Sequence, residues 1–318
     1  VQQAPWAAGL LGEAGMRNRF GWIVEIDPRD PVTLPAKRTA PGRRAHGDVA
    51  ATRSADGRAV LFISETVPGG FLYRFVSAAP IATGEDADNS RLLDDGALFV
   101  LRRAGDRGTW VRLAETSAAR LDPRAAAQQV GATPLDQPSG LALGADQRLF
   151  VALRGDPMAG PDRAGGRIIE IAPGGNGAGA DSFGYGTLVV VPPGLRVPGA
   201  EVVFAAPDTL ALDGQSRLWV GTAQGGLQAQ SGAPDGLFVM AIDGSARGVP
   251  RRIYGAPRGA AIGGAAFPPS SGGEAMVLAA VRRPGFERGA TFAAPITRWP
   301  AFDPALPPRS TLIGLAGG

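Results

Sequence analysis

The chain has 318 residues, 44% of them hydrophobic, and a formal net charge of +3 from cations that are nearly all arginine, Lys37 being the exception. It has no cysteine, which excludes disulfides, thiolate metal ligands and a cysteine nucleophile. Its one histidine, His46, excludes a multi-histidine metal site and restricts any Ser-His-Asp triad to that residue.

The 47 glycines and 28 prolines alternate with apolar runs, a pattern of turn-rich β structure and not of disorder. The arginines are scattered and no aromatics interleave with them, so nucleic acid is not an expected partner. No run of 18 apolar residues occurs, so no membrane span is expected. The opening Val1-Gln2-Gln3-Ala4-Pro5 suits a mature chain after signal removal or a trimmed one, and the expected location is periplasmic or extracellular.

In chain order, residues 1–19 read as an irregular segment. Residues 20–27 alternate as a strand closed by a turn at Asp27-Pro28, with residues 37–40 as a short partner strand. Strands are expected at 70–76 and 96–101, and the hairpin partner of the latter at 108–113. Residues 118–130 read as one short helix, and the Gly-rich residues 174–180 as a flexible loop without a motif. Further strands follow at 166–171, 236–243 and 310–315, the last closing the fold.

One pattern recurs. Ser139-Gly140-Leu141-Ala142 leads through a turn to Arg148-Leu149-Phe150-Val151, and Asp208-Thr209-Leu210-Ala211 leads likewise to Arg217-Leu218-Trp219-Val220. Looser copies run from Gly47-Asp48-Val49-Ala50 to Val60-Leu61-Phe62 and from Gly263-Gly264-Ala265-Ala266 to Met276-Val277-Leu278. Such a recurrence in an all-β chain implies a β-propeller, here of five or six blades with six the better fit, as one domain over residues 20–318. The first strand of each unit is small because it lines a crowded centre, while Phe150 and Trp219 are core residues in matching positions.

Several blocks resemble the PhoX-type alkaline phosphatase family of secreted propellers. They are residues 19–28 with Lys37-Arg38-Thr39-Ala40 and Gly42-Arg43, then Leu72-Tyr73-Arg74-Phe75-Val76-Ser77, then residues 93–100, then Arg298-Trp299-Pro300 and Pro308-Arg309-Ser310-Thr311-Leu312-Ile313. The resemblance implies phosphate-monoester hydrolysis at a calcium- and iron-dependent centre on the propeller axis, built mostly from carboxylates. Hard cations take oxygen ligands, and clustered metals can stabilise the attacking and leaving oxygens of phosphoryl transfer.

The ligand-bearing blocks depart from that family. Gly42-Arg43-Arg44-Ala45-His46 is followed by Gly47 where glutamate is expected. Gln137-Pro138-Ser139-Gly140 lacks both acids, and Ala206-Pro207-Asp208-Thr209 keeps its aspartate but not its asparagine. Gly259-Ala260-Ala261 lacks its acid, and Arg283-Pro284-Gly285-Phe286 replaces a histidine and an acid. Glu65-Thr66-Val67-Pro68 keeps one acid, and Ala4-Pro5-Trp6 is at best a remnant of an N-terminal ligand region.

His46 is the candidate acid–base group and Asp208 and Glu65 are the candidate metal ligands, each weighed against an ordinary hydrogen-bonding role. Arg283, with Arg282 and Arg258, is the candidate anion-binding ring. Asp86, Asp88, Asp94 and Asp95 read as a solvated loop. No cofactor, or at most one calcium, is expected. The reading is a non-catalytic propeller that serves as a binding or structural accessory subunit, its partner another protein or an assembly; the alternative is a calcium-dependent phosphomonoesterase with a reduced metal site.

Overall fold

The computed structural model describes residues 18–30, 32–85, 87–155, 165–191, 204–225, 234–269, 276–287, 289–291 and 293–316. Ala4-Pro5-Trp6 and Asp86 lie outside the described residues. The chain divides into two compact units. Unit 1 runs up to Pro138 and takes in Ala145–Arg148 and Ile171–Gly186; unit 2 comprises Ser139–Gly144, Leu149–Glu170 and the chain from Thr187 onward.

The strands of unit 1 are β1 (Ile23–Glu25), β2 (Ala36–Arg38), β3 (His46–Arg53), β4 (Arg58–Glu65), β5 (Pro68–Gly70), β6 (Leu72–Pro80), β7 (Gly96–Ala104), β8 (Arg107–Arg112) and β9 (Leu135–Asp136). After them come β10 (Pro138–Leu143), β11 (Leu149–Leu153), β12 (Arg167–Pro173) and β13 (Ser182–Val190). Unit 2 continues with β14 (Pro207–Leu212), β15 (Arg217–Thr222), β16 (Gly236–Ala241), β17 (Arg251–Gly255), β18 (Ala261–Ala266), β19 (Met276–Arg282) and β20 (Thr311–Ala316). In unit 1 the sheet order is β13-β8-β7-β6-β4-β3, and in unit 2 β14-β15-β16-β17 and β18-β19-β20 form further antiparallel meanders. The expected partner strand of residues 37–40 is β2, which pairs with β1, and the expected closing strand is β20, which pairs with β19.

The recurring arginine has a local cause. In three copies the residue before it turns through positive φ: Gly57 (85°), Gln147 (63°) and Ser216 (56°). The arginine then donates its Nε back to an aspartate of the same turn, Arg58 to Asp56 at 2.8 Å, Arg148 to Asp146 at 2.5 Å and Arg217 to Asp213 at 2.7 Å. A side-chain staple thus fixes each hairpin, and with it the register that sends the next apolar residues inward. Phe150 is fully buried in one unit 2 cluster with Leu210, Val220 and Phe238. Trp219 is buried in a second, with Leu237, Ile262 and Val281.

The small first strands have a steric cause. A Cβ at Gly140 would stand 2.5 Å from the Asp208 carbonyl oxygen and 2.7 Å from the Leu210 nitrogen. On β15, the second strand of its unit, a Cβ at Gly221 would stand 2.8 Å from the Ile262 oxygen of β18. Only glycine lets these backbones approach so closely.

Two local expectations are corrected. Residues 118–130 form two helices, α1 (Ser117–Leu121) and α2 (Pro123–Gln129), because Asp122 caps the second by accepting from Ala125 N while Pro123 opens it. Residues 174–180 are not a free loop. A 3₁₀ turn at Gly177–Gly179 buries Ala178 and Ala180, whose carbonyls accept from Nη1 of Arg74.

Candidate functional site

The candidate residues fall into one cluster in each unit. In unit 1, His46 opens β3 and Glu65 ends β4, and the strand register places them opposite one another. Glu65 is buried, and its Oε2 accepts from Phe71 N at 3.1 Å, from the Tyr73 hydroxyl at 3.5 Å and from Arg124 Nη1 at 3.3 Å. Beside it the guanidinium of buried Arg44 lies over the Tyr73 ring, 3.9 Å from its centroid. Arg44 donates Nη2 to the Pro41 carbonyl, while its Nε and Nη1 have no partner among the described residues.

His46 places Nε2 2.9 Å from the Gly21 carbonyl. A carbonyl only accepts, so Nε2 carries the proton and Nδ1 is bare; Nδ1 is buried without a partner among the described residues. Burial, reinforced by the charge of Arg44, pushes His46 down to about 4. Burial likewise lowers Arg44 to about 10 and raises Tyr73. At neutral pH His46 is therefore an uncharged imidazole beside a charged guanidinium, its one N–H held by the Gly21 carbonyl, and it is not charged to act as a general acid.

In unit 2 the irregular register between Pro207 and Thr209 marks the place of Asp208 on β14. The Ser139 hydroxyl donates to its Oδ1 at 2.6 Å, Arg154 Nε lies 3.5 Å from the same oxygen, and Arg282 Nη2 donates to Oδ2. Arg154 is held in turn by the Ala223 carbonyl at 2.8 Å and Arg282 by that of Ile262 at 3.2 Å. Arg258 is paired with Glu287, at 2.8 Å through Nε. Arg283 has no carboxylate partner among the described residues and lies over the Phe286 ring, 5.2 Å from its centroid. Of the three arginines read as an anion ring, two are thus committed to carboxylates.

Three loops share an unusual backbone. Gln137 (φ 55°), Ala206 (φ 50°) and Arg283 (φ 49°) are left-handed, and each immediately precedes a proline. That conformation is sterically unfavourable for a residue with a side chain. All three positions open blocks that depart from the family pattern.

Arg154, Ser139 and Tyr73 were not singled out from sequence. Arg154 follows β11 without any local motif, and only its position opposite Asp208 reveals it. Buried Asp235 was also missed; it accepts from the Thr222 hydroxyl at 2.8 Å and from Gln224 N at 3.0 Å.

The family model described as alkaline phosphatase PhoX matches residues 8–285. The chain belongs to the PhoX family. Pseudomonas fluorescens PhoX, solved in complex with vanadate, a transition-state analogue, matches with a TM-score of 0.81 and 26% identity over 94% of this chain. The match covers 58% of that PhoX chain, so this chain spans less than two thirds of it. The fold is accordingly the all-β propeller of PhoX. A gluconolactonase from Xanthomonas campestris has a TM-score of 0.31 and 15% identity, over 75% of this chain and 70% of that one. A putative gluconolactonase has a TM-score of 0.29 and 12% identity, over 77% and 78%. Both are too distant to inform the site. No curated protein matches the sequence.

The PhoX resemblance implies a centre of several cations, and the donors among the described residues do not fit one. Asp208 is bracketed by two guanidiniums, and Glu65 holds a third with Arg44 close by. Among the described residues no three His, Asp or Glu side chains group so as to hold a metal ion. A divalent ion placed about 4 Å from one guanidinium would meet a repulsion of roughly 8 kcal/mol at an effective dielectric of about 20, before any ligand bond formed.

Proposed function

We propose that this chain is a non-catalytic member of the PhoX family, an extracytoplasmic propeller that serves as a binding or structural accessory subunit of a larger assembly. The observation that carries this reading is Asp208. Both its oxygens are taken up by Ser139, Arg154 and Arg282, so arginine side chains supply the positive charge that a carboxylate in a metal centre would take from a cation. Family membership gives the fold, whereas activity depends on the site. The partner in this reading is another protein, and the surface that receives it is a matter for affinity capture with the intact chain.

Elemental analysis of the purified protein, paired with a chromogenic phosphate-ester assay with and without chelator, tests the proposal. Sub-stoichiometric metal and no chelator-sensitive turnover are expected. Near-stoichiometric calcium and iron with turnover that the chelator abolishes would establish the alternative, a calcium-dependent phosphomonoesterase.

A further inference from the structure

At the end of the unit 1 sheet away from His46 and Glu65, the β3–β4 turn, the end of β6, the start of β7, the end of β8 with the segment after it, and Gly179 and Asp181 line an open cavity of about 460 Å³. That is ample for a small organic ligand. Two of its charged side chains, Arg112 and Glu115, are 61% and 49% exposed and pair with each other; the others are sorted by depth. The side chain of Arg74 is 1% exposed and that of Arg58 38%, whereas Asp56 is 63% and Asp181 88% exposed. Asp95 is also exposed, and its carboxylate has no partner among the described residues.

Arg74 sits in the Tyr73-Arg74-Phe75 run of β6, so it faces away from the core that takes Tyr73 and Phe75. It lies over Phe99, 4.6 Å from the ring centroid, and near Trp110 at 5.2 Å. Its Nη1 is spent on the Ala178 and Ala180 carbonyls, and its Nε has no partner among the described residues. The acid paired with it, Asp181, is 3.5 Å away and bathed in solvent, so the buried cation lacks a buried counter-charge among the described residues. Arg58 stands closer to the mouth. Its Nε holds Asp56 and its Nη1 the Ser77 and Ala78 carbonyls, which leaves Nη2 open. Apart from Arg112 and Glu115, which neutralise each other, the deeper charged groups are therefore cationic and the lip carries carboxylates.

We propose that this cavity binds a small zwitterion of the α-amino-acid type, its carboxylate at Arg58 Nη2 above Arg74 and its ammonium at Asp95 and Asp181. A simple anion would satisfy the floor and be repelled at the lip; a simple cation would do the reverse. The apolar walls of Val76, Ala78 and Ala97 suit an aliphatic side chain. This site is independent of the reading of Asp208.

Calorimetric titration of the full chain with L-leucine, with isoamylamine and with 4-methylpentanoate tests it, the last two being leucine without its acid and without its amine. Saturable binding of one leucine per chain is expected, with each half at least tenfold weaker. Arg58→Gln and Asp95→Asn should each weaken leucine binding at least tenfold with an unchanged far-ultraviolet circular dichroism spectrum. Asp95 is exposed and holds no other described side chain, so its variant serves even if Arg58→Gln is unstable. Absence of leucine binding, binding of either half as tight as leucine, or full binding by Asp95→Asn overturns the proposal.

Discussion

Arg282 donates Nη2 to Oδ2 of Asp208 from a strand 74 residues further along the chain. The pair joins β19 to β14, and Arg154 holds the other carboxylate oxygen. Removing one partner of a buried pair costs about 3–5 kcal/mol, less where one member is partly exposed. Asp208→Asn should therefore lower stability by about 2–3 kcal/mol and Arg282→Gln by about 1–2 kcal/mol. Because the two share one interaction, the double variant should lose less than the sum of the singles. Urea unfolding of the four proteins checks this.

His46 predicts a pH dependence. Its folded value is about 4, below the ordinary value of about 6.5. Between those values the unfolded chain binds a proton that the folded chain does not, so folding is opposed as pH falls. The full contribution is present above about pH 6.5, is lost progressively down to about 4 and changes no further below that; it amounts to about 3 kcal/mol. His46→Gln keeps a donor for the Gly21 carbonyl and should flatten this part of the profile. Urea midpoints at pH 7.5 and 5 for both proteins test it.

The turn staple at Asp213 makes a separate prediction. Burial would raise this carboxyl, but hydrogen bonds from Trp219 Nε1, the Arg217 backbone and side chain, and the Gln215 backbone outweigh it and hold Asp213 below its ordinary 3.8. A depressed folded value means stability that is present above the unfolded value and lost as pH falls through the folded one. Asp213→Asn should cost about 1–2 kcal/mol at neutral pH, and the gap to the parent should close under acid. Thermal melts at pH 7 and pH 3 measure both.

Gly140 gives a steric prediction. Backbone atoms of Asp208 and Leu210 stand 2.5 and 2.7 Å from where an added methyl would sit, so Gly140→Ala must push β10 away from β14. A cost of about 1–3 kcal/mol is expected. A melting temperature equal to that of the parent would show that the approach is looser than the geometry indicates.

The fold was legible where the physics is local. Apolar runs opened by turn residues gave β7, β8, β12 and β16, and the repeat gave the paired strands around Phe150 and Trp219, because strand-forming runs and turn chemistry are written in adjacent residues. The meaning of the repeated arginine was not legible, since the Asp–Arg staple needs the positive-φ residue between them. The candidate site was half legible. Asp208 and Arg282 were both picked out, yet for different chemistry, because a pairing across 74 residues leaves no trace in either segment. Arg154 left none at all.

The three left-handed residues before proline have a consequence for engineering. Ala206 is anchored on both sides, its N–H to the Gly165 carbonyl and its carbonyl to Ala223 N, so the elbow cannot relax. Each such residue costs about 1–3 kcal/mol, and on the reading of the chain as non-catalytic that tension positions no metal ligand. Ala206→Gly would release it, making this bend the first place to seek a hardier version of the molecule.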